Sequence, residues 1–139
     1  MRPGWIAICE AADTHWVAGI MYKLSVDPEK RLIRFELFGQ ADAEEIVRFQ
    51  QDVRKRVLRL RASGPHFSVL ADMRQTAVLP RSDTATVSEE LRWWVENGLL
   101  KSAGLVASTL LKLQTERLAP HPAFRYFTSE QEALAWLAS

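Results

Sequence analysis

The sequence predicts an α/β domain built on a mixed β-sheet of four or five strands, with helices packed on it. Three observations predict this. Residues 22–39 alternate apolar and polar side chains, the period of a half-buried strand. Residues 46–60 repeat apolar side chains at 3.6-residue spacing, which makes one stripe along a helix. Further along, the short apolar runs FSVLAD and SAGLVAS alternate with helical segments, as buried strands do in chains built from strand–helix–strand units.

The elements follow in order. YKLSVD (Tyr22 to Asp27) and RLIRFELFG (Arg31 to Gly39) flank the turn DPEK and form a β-hairpin. Residues 42–63 form a helix. Asp42 can cap its N-terminus, with Glu45 three residues on as in a capping box. Ile46, Phe49, Val53, Val57 and Leu60 are its buried stripe, and SGP ends it. Phe67 to Asp72 is a buried central strand. The next helix runs from about Asp83 to Asn97, and Gly98 can stop it. Ser102 to Ser108 is a buried strand, Thr109 to Leu118 a short amphipathic helix, and FRYF (Phe124 to Phe127) a last strand. SEQEALAWLA closes the chain as a helix, with Ser129 and Glu132 placed as a capping box. The order is β-β-α-β-α-β-α-β-α. Residues 1–20 read as an N-terminal extension, because Met21 stands just before the first clear strand, and residues 21–139 read as one domain.

Composition narrows the function. The 139 residues suit one domain, 47% are apolar and 25% charged, and the net charge is +1. Such a balance gives no general attraction to nucleic acid or an acidic membrane. The apolar run WIAIC near the N-terminus is shorter than a signal-peptide core, and no run approaches a membrane span. One cysteine, Cys9, allows no intrachain disulfide, which fits the cytoplasm. His15, His66 and His121 lack ligand-type neighbours at helical spacing, so no metal site is expected. No nucleophile elbow, glycine-rich phosphate loop or C-x-x-C pair is present. No cofactor and no enzymatic activity are expected.

The element order, the segment STLLKLQTERL and the closing RYFTSEQEALAWL together resemble bacterial SpoIIAA-like proteins of the STAS-like fold, over about Tyr22 to Leu137. That superfamily includes anti-sigma-factor antagonists, and its fold is related to lipid-binding domains. The resemblance therefore implies a STAS-like domain that binds a protein partner or forms a homodimer. The lipid-binding relationship implies a second reading, a small apolar ligand held between sheet and helices by residues such as Phe35, Leu37, Val106 and Trp94. In phospho-regulated antagonists a serine stands at the start of the helix after a central strand, in a tight Asp-Ser-Ser-Gly-like stretch. The corresponding stretch here is DMRQTAVLPRSDTAT, with no glycine between Asp72 and Leu91. Ser82, Thr84 and Thr86 supply hydroxyls there. Capping by Ser82 or Asp83 is the expected role, since these are preferred N-cap residues in any helix.

Four residues stand out as binding candidates. Asp72, Arg74 and Arg81 follow a central strand, where ligands bind in open α/β sheets. Arg74 and Arg81 could hold an anion, or Asp72 could pair with an arginine and fix the loop. The pairing is the favoured reading. Trp93 is the fourth. In LRWWVENGLL the stripe Val87, Leu91, Trp94 and Val95 turns Trp93 roughly opposite the core. A second subunit or the N-terminal arm is expected to cover it. Arg48, Lys55 and Arg59 on the first helix read as a solvated face, with no interleaved aromatics to stack on bases. Trp136 is expected to be mostly buried under the last helix.

Overall fold

In the computed structural model, residues 14–16, 20–39, 43–76, 84–117 and 121–139 are described. Six strands form one sheet whose spatial order follows the chain: β1 (Thr14–Trp16), β2 (Ile20–Asp27), β3 (Leu32–Gly39), β4 (Phe67–Thr76), β5 (Leu99–Leu105) and β6 (Phe124–Phe127). β1, β2 and β3 pair antiparallel, and β3 to β6 pair parallel. The five strands expected from residue 21 onward are present. The sixth, β1, comes from the N-terminal extension and pairs Thr14 with Lys23 and Trp16 with Met21.

Helices α1 (Ala43–Arg61), α2 (Thr84–Glu96) and α3 (Thr109–Glu116) make the three crossovers between parallel strands. Crossovers of one hand between strands laid down in order must all pass over the same face. Helix α4 (Glu130–Ala138) follows the last strand and covers the other face. The result is two unequal cores. The larger joins Tyr22, Leu24, Ile33, Phe35, Val69 and Phe124 of the sheet to Phe49, Val53 and Val57 of α1, Leu91 and Trp94 of α2, and Leu111 of α3. The smaller is Leu70, Ala103, Leu105 and Ala133.

The expected stripe of α1 is buried throughout, while Arg48, Lys55 and Arg59 face solvent. Gly98 stops α2 with φ 99. β5 then begins at once, at Leu99, three residues before the expected start at Ser102. β4 is longer than its apolar run suggests. It continues past Asp72 to Thr76, pairing with β3 as far as Gly39. Of its final residues Arg74 and Gln75 are exposed, so the strand turns polar where its burial ends. Asp72 is therefore a mid-strand residue, not a loop residue.

Trp136 corrects an expectation, because it is only partly buried. Ala133, fully buried against Leu70, Ala103 and Leu105, takes the centre of the α4 interface. The indole lies at the rim instead. Phe127 packs beside it at 5.8 Å, and Lys101 and Arg125 each lie 5.4 Å from its ring. Lys101 Nζ also donates to the carbonyl oxygens of Trp136 and Ser139, at 2.9 and 2.6 Å. A cation is favourable at that helix end.

Two sites test this packing. Gly104 of β5 lies under the Tyr126 ring, and a Cβ there would come within 2.5 Å of Tyr126 Cδ1 and 3.2 Å of Met73 Cε. Gly104→Ala should cost about 1–3 kcal/mol in urea denaturation. Arg31 ends the hairpin turn with φ 54, unfavourable for a non-glycine residue. Its guanidinium donates to the carbonyls of His66 and Leu60 and to Ser63 Oγ, at 2.7, 2.6 and 3.1 Å, tying the hairpin to the end of α1. Arg31→Ala should destabilise more than Arg31→Gly by up to ~1 kcal/mol, because alanine loses the bonds and keeps the backbone cost. Equal urea midpoints would contradict this.

Candidate functional site

Strand alternation puts Arg34, Glu36, Asp72 and Arg74 on the α4 side of the sheet, since their neighbours Ile33, Phe35 and Ala71 face α1–α3. Asp72 pairs across the ladder with Glu36 on one side and Leu105 on the other. Two carboxylates on adjacent strands require cations. Arg74 supplies the first. Its backbone N–H and Nε donate to Asp72 Oδ1 at 3.2 and 3.0 Å, and its terminal nitrogen to Oδ2 at 2.8 Å. The same guanidinium lies 3.6 Å from Glu130, and Arg34 donates to Glu130 at 2.7 Å. Glu130 is in the first turn of α4, so the chain Asp72, Arg74, Glu130, Arg34 fastens the helix start to the sheet. The Arg74 hydrogen bond holds the Asp72 carboxyl below its ordinary range, against the opposing effect of burial.

The favoured Asp72–arginine pairing is thus present, within a strand rather than a loop. Arg81, Ser82 and Asp83 lie outside the described residues. So does the side chain of Thr84, which begins α2, while Thr86 is exposed in that helix's first turn. The structure brings Asp72 and Arg74 together with Arg34 and Glu130, and it places Trp93 on the opposite face.

Trp93 corrects an expectation. It does not point away from the core but is partly buried on α2 and packs against the edge of the larger core. Its other neighbour is a cation. The Arg54 guanidinium of α1 sits 4.6 Å from its ring centroid. Glu90, one turn before Trp93, is only 4% exposed, and Arg54 grips it with Nε at 3.0 and 2.9 Å and a terminal nitrogen at 2.7 Å. Asn97 Nδ2 adds a bond to the Trp93 carbonyl at 2.8 Å. Arg54 thus lies between a carboxylate and an indole. Sequence reasoning missed this group. The signal was Glu90 itself, an acid beside Trp94 on the helical wheel, which a folded chain must match with a cation.

On the same face, the Tyr22 hydroxyl donates to the Asp52 carboxylate and ties β2 to α1. Burial, then Asp52, pushes that hydroxyl well above the ordinary phenol range. The residues considered for an apolar ligand pack against one another. Phe35 meets Phe49 at 4.8 Å and Trp94 at 6.2 Å, Val106 joins the same core, and Leu37 packs on it. Among the described residues, Trp94 Nε1 is buried without a hydrogen-bond partner, no three His, Cys, Asp or Glu side chains converge as a metal would require, and no helix is long and apolar enough to cross a membrane.

Two variants test these ties. Asp72 binds a proton less readily folded than unfolded, so its contribution is complete above the unfolded value of about 3.9. It is lost as pH falls through that value towards the folded one. Asp72→Asn should flatten the loss of stability below about pH 4, measured by urea denaturation at stepped pH. Arg54→Ala should cost about 1–3 kcal/mol by leaving Glu90 without its cation. Adding Glu90→Leu should recover most of that loss.

No family model matches the chain, and no curated protein matches it. Among solved structures, it is similar to an uncharacterised protein of the DUF3478 family from Shewanella loihica PV-4, described as having a SpoIIAA-like fold. The TM-score is 0.56 and the identity 16%, over 88% of this chain and 97% of the other. The chain has a SpoIIAA-like fold.

Proposed function

We propose that this domain is a non-enzymatic, cytoplasmic module that works by binding a protein partner through the α2 surface around Trp93. The observation that carries the reading is the order of that surface. A large aromatic is partly open to solvent, yet an arginine lies across its ring and a buried carboxylate fixes the arginine. Tryptophan and arginine are the side chains that most often anchor protein interfaces. Anchors already held in place lose little freedom when a partner arrives. The acid–base groups of the candidate site support a non-enzymatic role, because Asp72, Arg74, Arg34 and Glu130 are engaged with one another as structural ties.

The test uses the full chain in the cell that naturally makes it. A photo-crosslinking residue replaces Arg92, exposed beside Trp93, or Gln131, exposed on α4 across the sheet. The Arg92 position should give a discrete protein adduct, and Trp93→Ala should abolish it, as expected for an anchor contributing ~2 kcal/mol or more. The same adducts from both positions, or an Arg92 adduct unaffected by Trp93→Ala in a folded variant, would overturn the reading.

A further inference from the structure

β6 ends the sheet and has no strand neighbour beyond β5 among the described residues. Ser102 N–H donates to the Ala123 carbonyl at 2.7 Å, and Val106 N–H to the Phe127 carbonyl at 2.9 Å. The backbone groups of Ala123, Arg125 and Phe127 therefore turn inward to β5. Strand alternation turns those of Phe124, Tyr126 and Thr128 outward. The Phe124 N–H is used locally, donating to the His121 carbonyl at 3.0 Å. That leaves the Tyr126 and Thr128 N–H groups and the Phe124 and Tyr126 carbonyls along the edge.

A cleft of roughly 400 Å³ wraps this edge. Lys112 and Glu116 of α3 line it on one face of the sheet, and Glu132 of α4 on the other, with Arg125 and Thr128 between. An exposed edge is a template for another strand. The charges decide which strand. The cleft carries two cations and two carboxylates, so neither an acidic nor a basic peptide is favoured. A partner with the same pattern in reverse order is favoured, and a two-fold-related copy has that pattern by symmetry.

We infer that the outer edge of β6 pairs antiparallel with β6 of a second copy of this chain, joining two sheets into one. With Tyr126 opposite Tyr126, each Tyr126 N–H meets the Tyr126 carbonyl of the other copy, and each Thr128 N–H meets a Phe124 carbonyl. Lys112 and Glu116 lie one turn apart on α3, and the two-fold axis reverses their order. Lys112 of one copy then faces Glu116 of the other. This surface is separate from Trp93 and does not rest on that reading.

Sedimentation velocity of the full chain, up to millimolar concentration, tests it. Wild type should form a dimer, and Lys112→Glu alone or Glu116→Lys alone should weaken it about 10-fold or more by placing like charges opposite. An equimolar mixture of the two variants should associate again, because one copy is then wholly acidic at those positions and the other wholly basic. Trp93→Ala should leave the dimer unchanged. A monomeric wild type, single reversals that dimerise like wild type, a mixture that fails to associate, or a dimer lost on Trp93→Ala would each overturn the inference.

Discussion

Strand β4 is covered on both faces, and each layer of the molecule depends on that. Val69 and Ala71 face α1, α2 and α3, while Leu70 faces α4, and Val69 and Leu70 are wholly inaccessible. A strand in that position must be apolar at successive residues, not at alternate ones. Where the cover ends, polarity returns at once, and Asp72 and Arg74 occupy the α4 side just beyond Leu70. Their ion pair lies at the boundary between a face that α4 dries and a face that stays wet. Glu130 lets α4 reach across this boundary, so one carboxylate–arginine chain sets where the last helix begins.

The two faces use the same chemistry for different ends. On the α4 side the charges close on one another and hold a helix start. On the other side, Arg54 satisfies the buried Glu90 and still presents its flat surface to Trp93. An arginine can do both because its guanidinium donates in its plane and stacks across it. A lysine has no planar fork with which to hold both oxygens of Glu90 and lie flat against the indole. This double use makes the Trp93 surface ordered without enclosing it.

Much of the fold was legible because its signals are local. The α1 stripe, the Asp27 to Arg31 turn, the Gly98 stop and the Ser129 cap each depend on residues close in sequence. Ser129 Oγ accepts from Glu132 N–H at 3.3 Å, as the spacing implied. What was not legible depended on where neighbouring elements end. The polar tail of β4 looked like loop because nothing in its own residues says that β3 continues beside it. Trp136 looked like core because its size suggests burial, whereas the narrow α4 interface has room at its centre for Ala133. The site was legible in residue type and not in partner. Asp72 did take an arginine, but the cover on Trp93 came from Arg54, a residue whose charge alone reads as solvated helix surface.

The central claim is that Trp93 is held in place before any partner arrives. The direct measurement is ¹⁵N relaxation of the Trp93 indole N–H in the isolated protein, assigned by Trp93→Phe among the five tryptophans. The account predicts an order parameter close to that of rigid backbone, about 0.85, falling clearly in Arg54→Ala. A wild-type value below about 0.6, or one unchanged by removing Arg54, would contradict it.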